Sequence, residues 1–108
     1  MKTQRSKSIE FNFHITKNLS LQVARLQGAG LNLSAVARLA IRKCATLPLD
    51  EEDDTPRSRR ILLYLHVDEA KLLDELAAQE GYRSRARTLR RLITTFLRIY
   101  APEIDRLF

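Results

Sequence analysis

The sequence predicts a mostly helical α+β fold made of two strand–helix–turn–helix units in tandem. Three observations lead there. Two short segments alternate apolar and polar residues; each is followed by two stretches with apolar residues at three-and-four spacing. The whole order then recurs at a constant offset of 52 positions, without a gap: Arg5 meets Arg57, Ser6 meets Ser58, Ile9 meets Ile61, His14 meets His66, Leu21 meets Leu73, Gln27 meets Gln79, Arg38 meets Arg90 and Ile41 meets Ile93.

In the first unit Ile9, Phe11, Phe13 and Ile15 alternate with Ser8, Glu10, Asn12 and His14, the period of a half-buried strand. Thr16 is a good N-cap, and helix-compatible sequence runs to about Gln27 before Gly28-Ala29-Gly30 breaks it. Asn32 or Ser34 can cap a second helix carrying Leu33, Val36, Ala37, Ala40, Ile41 and Cys44, with Pro48 as its stop. The second unit repeats the order. Ile61, Leu63, Leu65 and Val67 are the apolar set of a strand, Asp68 stands where Thr16 stood as a cap, and Leu72, Leu73, Leu76 and Ala77 stripe a helix. Gly81 breaks that helix. Ser84 caps the last one, which carries Leu89, Leu92, Ile93 and Phe96 to about Tyr100, ahead of Pro102.

A chain of 108 residues suits one domain with a shared core. The divisions are a first unit over 5–48, an acidic linker over 49–56, a second unit over 57–100 and a tail over 101–108. A lone strand leaves its backbone groups unpaired, so the two strands are expected to pair as an antiparallel ribbon over the four helices. The segment from Pro48 to Pro56 reaches about 30 Å at roughly 3.3 Å per residue, enough for pairing within one chain. The tail opens like a short helix with Pro102 in its first turn; its Ile104, Leu107 and Phe108 are expected to pack on the bundle.

The net charge is +6, unevenly spread. Residues 1–49 carry eight Lys/Arg against Glu10; residues 50–56 carry five acids and no Lys or Arg; residues 57–108 carry eleven Lys/Arg against seven acids. Two basic blocks around an acidic spacer favour a polyanionic partner. The acidic run reads as a soluble linker, with repulsion of DNA or mimicry of phosphate as further uses. One cysteine, Cys44, excludes an internal disulfide and, on its apolar stripe, reads as a buried thiol suited to a reducing cytoplasm. No apolar run nears the roughly 18 residues of a membrane span. Three glycines and no nucleophile–base pair speak against an enzyme, and no cofactor is indicated.

Strand–helix–turn–helix, a basic N-terminal arm, Phe11-Asn12-Phe13-His14, and Gly30-Leu31-Asn32-Leu33-Ser34 before the last helix resemble the ribbon-helix-helix superfamily of MetJ, Arc and CopG. The tandem arrangement is similar to conjugation accessory proteins of the TraY type, in which one chain forms the pseudo-dimer. The second unit departs from the pattern: Tyr82-Arg83-Ser84 replaces the Gly-x-Asn turn, and Leu62 falls on the face the family keeps polar.

The resemblance implies a sequence-specific protein of double-stranded DNA, a transcription repressor or a DNA-transfer accessory of a mobile element. Its outward ribbon face would enter the major groove, which makes Glu10, Asn12, His14, Leu62, Tyr64 and His66 the base-reading candidates. Asn is the best of these, since it can bond adenine N6 and N7 together. The N-termini of the second helices would clamp phosphates through Asn32, Ser34, Ser84, Arg83, Arg85 and Arg87, where free N–H groups and partial positive charge meet an anion. The arms add Arg5, Lys7, Arg57, Arg59 and Arg60. Further copies on adjacent sites are compatible partners; a membrane and a small-molecule substrate are not expected. His14 and His66 would suggest a metal only if paired across the ribbon, and with no ligand cluster nearby none is assigned. Two alternatives stand beside this reading: a helix-turn-helix over residues 23–38, which leaves the strands unexplained, and an antitoxin or interaction module.

Overall fold

Six elements follow in order in the computed structural model: β1 (Ser8–Thr16), α1 (Lys17–Gly28), α2 (Leu33–Cys44), β2 (Arg57–His66), α3 (Val67–Gln79) and α4 (Arg85–Leu107). The structure describes residues 8–28, 30–81 and 84–107, without the side chains of Ile104, Asp105 and Leu107. Among these residues the fold is α+β and mostly helical, with four helices and one two-stranded antiparallel sheet.

The ribbon register sets Glu10 opposite Tyr64, Phe11 opposite Leu63, Asn12 opposite Leu62 and His14 opposite Arg60. Phe11 therefore faces the residue 52 positions further along the chain, the same offset as the sequence repeat. Alternation sends Phe11, Phe13, Ile15, Leu63 and Leu65 inward, where they join one core with Leu19, Val23 and Leu26 of α1, Val36 and Ile41 of α2, Leu73 of α3, and Leu89, Leu92, Ile93 and Phe96 of α4. Among the helices, α2 and α4 pack most extensively on each other. Full burial of each such Leu, Ile or Phe contributes roughly 1.5–3 kcal/mol, against about 0–1 for an exposed ion pair, so the core and not the surface charge holds the fold.

The helix ends follow from local chemistry. Thr16 caps α1, its Oγ1 accepting from the Leu19 N–H at 3.2 Å. Gly30 takes φ +97° after α1, with its N–H on Gln27 O at 3.0 Å and the Leu31 N–H on Leu26 O at 3.0 Å, a Schellman closure that a left-handed glycine permits. Asn32 caps α2 by accepting from the Ala35 N–H at 2.7 Å. Ser84 does the same for α4, from the Arg87 N–H at 3.3 Å. Gly81, at φ +75°, follows α3.

Four expectations are corrected. Val67 is not the last inward residue of the second strand: β2 ends at His66, and Val67 opens α3, exposed. Asp68 is accordingly not the cap; His66 holds that position, and the Glu69 carboxylate reaches back to accept from its N–H at 2.9 Å. Residues 57–60 are no loose arm but the first part of β2, because Thr16 continues the pairing to Arg57 past an irregularity after His14. Finally, α4 runs through Pro102 to Leu107, so the tail is not a separate short helix. Pro102 lacks an N–H but is itself exposed, in a 23-residue helix that is anchored upstream by its buried stripe. The expected packing of Ile104, Leu107 and Phe108 falls on side chains outside the described residues. Cys44 is fully buried as expected, and burial pushes its thiol pKa up.

Candidate nucleic-acid interface

The outer face of the ribbon is polar at one strand and mixed at the other. Glu10, Asn12 and His14 are exposed on β1, and Leu62 and Tyr64 are each about half exposed on β2. Cross-strand partners share a face, so the outward row pairs Glu10 with Tyr64, Asn12 with Leu62 and His14 with Arg60. Arg60, expected on an arm, thus stands in the outward row. His66 is only partly exposed and lies at the far end, opposite Ser8, while His14 lies opposite Arg60. The two histidines occupy opposite ends of the ribbon, and no group of three metal-ligating side chains occurs among the described residues.

An open cleft lies between β2 and the start of α2. Asn32, Ser34, Arg38, Arg59 and Arg60 line it together with Tyr64. The Ser34 Oγ accepts from the Tyr64 N–H at 3.1 Å, tying α2 to the ribbon edge. The hydroxyl hydrogen remains to donate, and Asn32 spends its Oδ1 on the cap. Arg57 and Arg59 are exposed along β2.

At the start of α4 the described arginines meet carboxylates. Arg85 lies 3.4 Å from Asp74 Oδ1 and 5.2 Å over the Phe11 ring. Arg87 lies 3.4 Å from Glu52 Oε2 of the linker. Arg85 keeps an exposed side chain, whereas Arg87 is partly exposed with its Nε buried. Arg5, Lys7 and Arg83 lie outside the described residues.

The linker is not a free tether. Asp50 donates its N–H to Thr95 Oγ1 at 2.8 Å, and its carboxylate takes a bidentate contact from Arg98 at 2.6 and 3.1 Å. Arg91, almost buried, donates to Leu49 O at 2.9 Å and Asp50 O at 3.0 Å and pairs with Glu80. Arg90, 3% exposed, pairs with Glu52 Oε1 at 2.6 Å and donates to His14 O at 2.9 Å, holding the linker against the end of β1. Asp53 then supports the start of α1. It accepts from Thr16 Oγ1 at 2.8 Å and from both the N–H and hydroxyl of Thr55. Thr55 Oγ1 in turn accepts from the Asn18 N–H at 3.1 Å, and Pro56 O accepts from the Lys17 N–H at 2.9 Å. Burial works against the Asp53 charge, but the hydrogen bonds from Thr55 and Thr16 outweigh it and hold the carboxyl below its ordinary range.

Glu69, which the sequence places with Asp68 at the positive end of α3, does stand in its first turn; Arg38, Arg42, Arg90, Arg91 and Arg98 carry no role in the sequence reading. One signal was present: Arg38 and Arg90 are the same residue at the same place in the repeat, each inside an apolar helix stripe. Both hold a carboxylate; Arg38 lies 3.2 Å from Glu69, with Arg42 3.4 Å from its other oxygen.

No family model matches the sequence, and neither a curated protein nor a solved structure does. No helix among the described residues is long and apolar enough to cross a membrane.

Proposed function

We propose that the chain is a tandem ribbon-helix-helix protein that binds double-stranded DNA, with both halves of the pseudo-dimer in one polypeptide. The observation that carries this reading is the ribbon register. β1 and β2, the matching strands of the two repeats, pair antiparallel with Phe11 opposite its own repeat match Leu63, an arrangement that supports two equivalent units sharing one ribbon. A two-stranded ribbon fits a major groove about 12 Å wide. The inward row is buried, which leaves the outward row to meet the bases.

On this reading Asn12 bonds an adenine, and Leu62 beside it contacts a thymine methyl. Tyr64 and Glu10 read or exclude the next step, and Arg60 beside His14 is placed for a guanine as well as a phosphate. The N-termini of α2 and α4, capped by Asn32 and Ser84, face the flanking phosphates, with Ser34, Arg85 and Arg87 adding donors and charge. Arg57 and Arg59 follow the backbone and make binding salt-dependent. The use is repression of a promoter or assistance in DNA transfer by a mobile element in the cytoplasm, without catalysis or a cofactor.

The test is selection of bound duplexes from a random pool with wild type and Asn12→Ala. A consensus that loses preference at one position in the variant supports the reading; no enrichment in wild type rejects it. A genomic footprint separates the two uses, since a repressor occupies its own promoter and an accessory protein sits beside a transfer origin.

A further inference from the structure

We infer that the linker carboxylate Glu52 is a built-in phosphate mimic that screens Arg87 at the start of α4 and weakens the phosphate clamp of that half. The inference rests on the duplex-binding reading and concerns regulation of the same surface.

The geometry divides the two oxygens of one carboxylate between two jobs. Oε1 lies 2.6 Å from the Nε of Arg90, whose side chain is 3% exposed, and Oε2 lies 3.4 Å from the Nε of Arg87, whose side chain is 43% exposed. The buried arginine is the anchor. It also donates to His14 O, so its position is set by the end of β1. The partly exposed arginine is the third residue of α4, on the turn whose N–H groups would meet a phosphate. Glu52 is itself only 19% exposed and is fixed by linker contacts on both sides, Asp50 with Arg98 and Asp53 with Thr16. A phosphate approaching Arg87 therefore meets a cation already facing a fixed anion. Nearby Glu51 differs: 74% exposed, it reaches Arg91 only at 3.9 Å, and so carries the same charge without the same position.

Among its described residues the other half has no matching screen at the start of α2. The positions matching Arg85 and Arg87 are Leu33 and Ala35, and the cleft beside α2 takes its positive charge from Arg59 and Arg60 on the strand and from Arg38, which Glu69 already holds. The two clamps would then differ in kind: one with exposed strand arginines, one with a helix arginine neutralised from within.

The experiment measures binding of the full chain to a random-sequence duplex across a salt series, for wild type, E52Q and E51Q, with thermal melts to confirm folding. Glu52→Gln keeps an oxygen acceptor for Arg90 and removes the charge. If Arg87 is screened, E52Q gains close to one phosphate contact: the slope of log K against log salt steepens by about 0.9, and affinity at 50 mM salt rises roughly three- to tenfold. E51Q moves the slope far less. Equal effects of E51Q and E52Q would mean that only net charge matters, and would overturn the inference; so would an unchanged slope or weaker binding in E52Q. If E52Q fails to fold, Arg87→Gln and Arg59→Gln decide instead. The screened Arg87 should barely change the slope, whereas Arg59 should cost about one contact, and equal losses overturn the screen. Binding by wild type with no change in E52Q rejects the screen alone; no binding by either protein rejects the duplex reading with it.

Discussion

The junction from β1 into α1 and the junction from β2 into α3 solve one problem with acids from different places. At α3 the acids belong to the helix: Asp68 and Glu69 lie in its first turn, and Glu69 both accepts from the His66 N–H and holds Arg38 and Arg42. At α1 the matching residue is Lys17, and the first turn has no acid. There the linker supplies both missing charges. Asp53 stands behind the cap of α1, and Glu52 takes Arg90, the residue matching Arg38. The lesson is that the acceptors and negative charge that favour a helix start can come from the helix itself or from a distant chain segment. The linker also feeds β2, which extends the ribbon to Thr16 and delays α1, whereas α3 begins at Val67.

The sharpest way to break this comparison is to replace residues 50–55 with a Gly/Ser segment of equal length. A plain tether would lose under about 1 kcal/mol. Loss of the Glu52–Arg90 pair together with the Asp53 cap should instead destabilise by roughly 5 kcal/mol in denaturant unfolding. A smaller test compares the matching arginines. Arg90→Ala removes one partner of a nearly buried pair and should cost about 3–5 kcal/mol, while Arg38→Ala, one-third exposed and backed by Arg42, should cost about 1–2. Equal losses would mean that linker-supplied and helix-supplied acids are held alike.

On the ribbon itself the comparison is functional. Asn12→Ala should weaken binding to the selected duplex by about 1–3 kcal/mol and relax one position, with Leu62→Ala affecting mainly a thymine and by less. The outward rows differ, so the consensus should be asymmetric; a perfect palindrome would count against base reading by these pairs and point to DNA shape. The smallest effect concerns Asp53. Its carboxyl is held below the ordinary range, so its contribution is fully present above that range and is lost as pH falls through the lowered value. Asp53→Asn should cost about 1 kcal/mol near neutral pH, the size of a lost cap, and the two proteins should converge in acid melts.

Much of this molecule was legible in short-range pattern. The alternation of Ile9, Phe11, Phe13 and Ile15, the caps at Thr16, Asn32 and Ser84, and the breaks at Gly30 and Gly81 depend on residues two to four apart, and each stands where the spacing puts it. The outward face of Glu10, Asn12 and His14 came with the strand, because side-chain direction is fixed by parity. The register and the linker were not legible. Glu52 meets Arg90 across 38 positions and Asp50 meets Arg98 across 48, so in sequence the acidic run has no visible partners and reads as solvated charge. Val67 has the residue type of a strand and Pro102 that of a stop, but both are overruled from elsewhere. Glu69 closes its cap ahead of Val67, and α4 is carried past Pro102 by the turns that precede it. Local spacing determines which backbone states are cheap. Only the packed chain brings distant charges within hydrogen-bonding reach in a partly dry environment, where their pairing becomes strong enough to choose among those states.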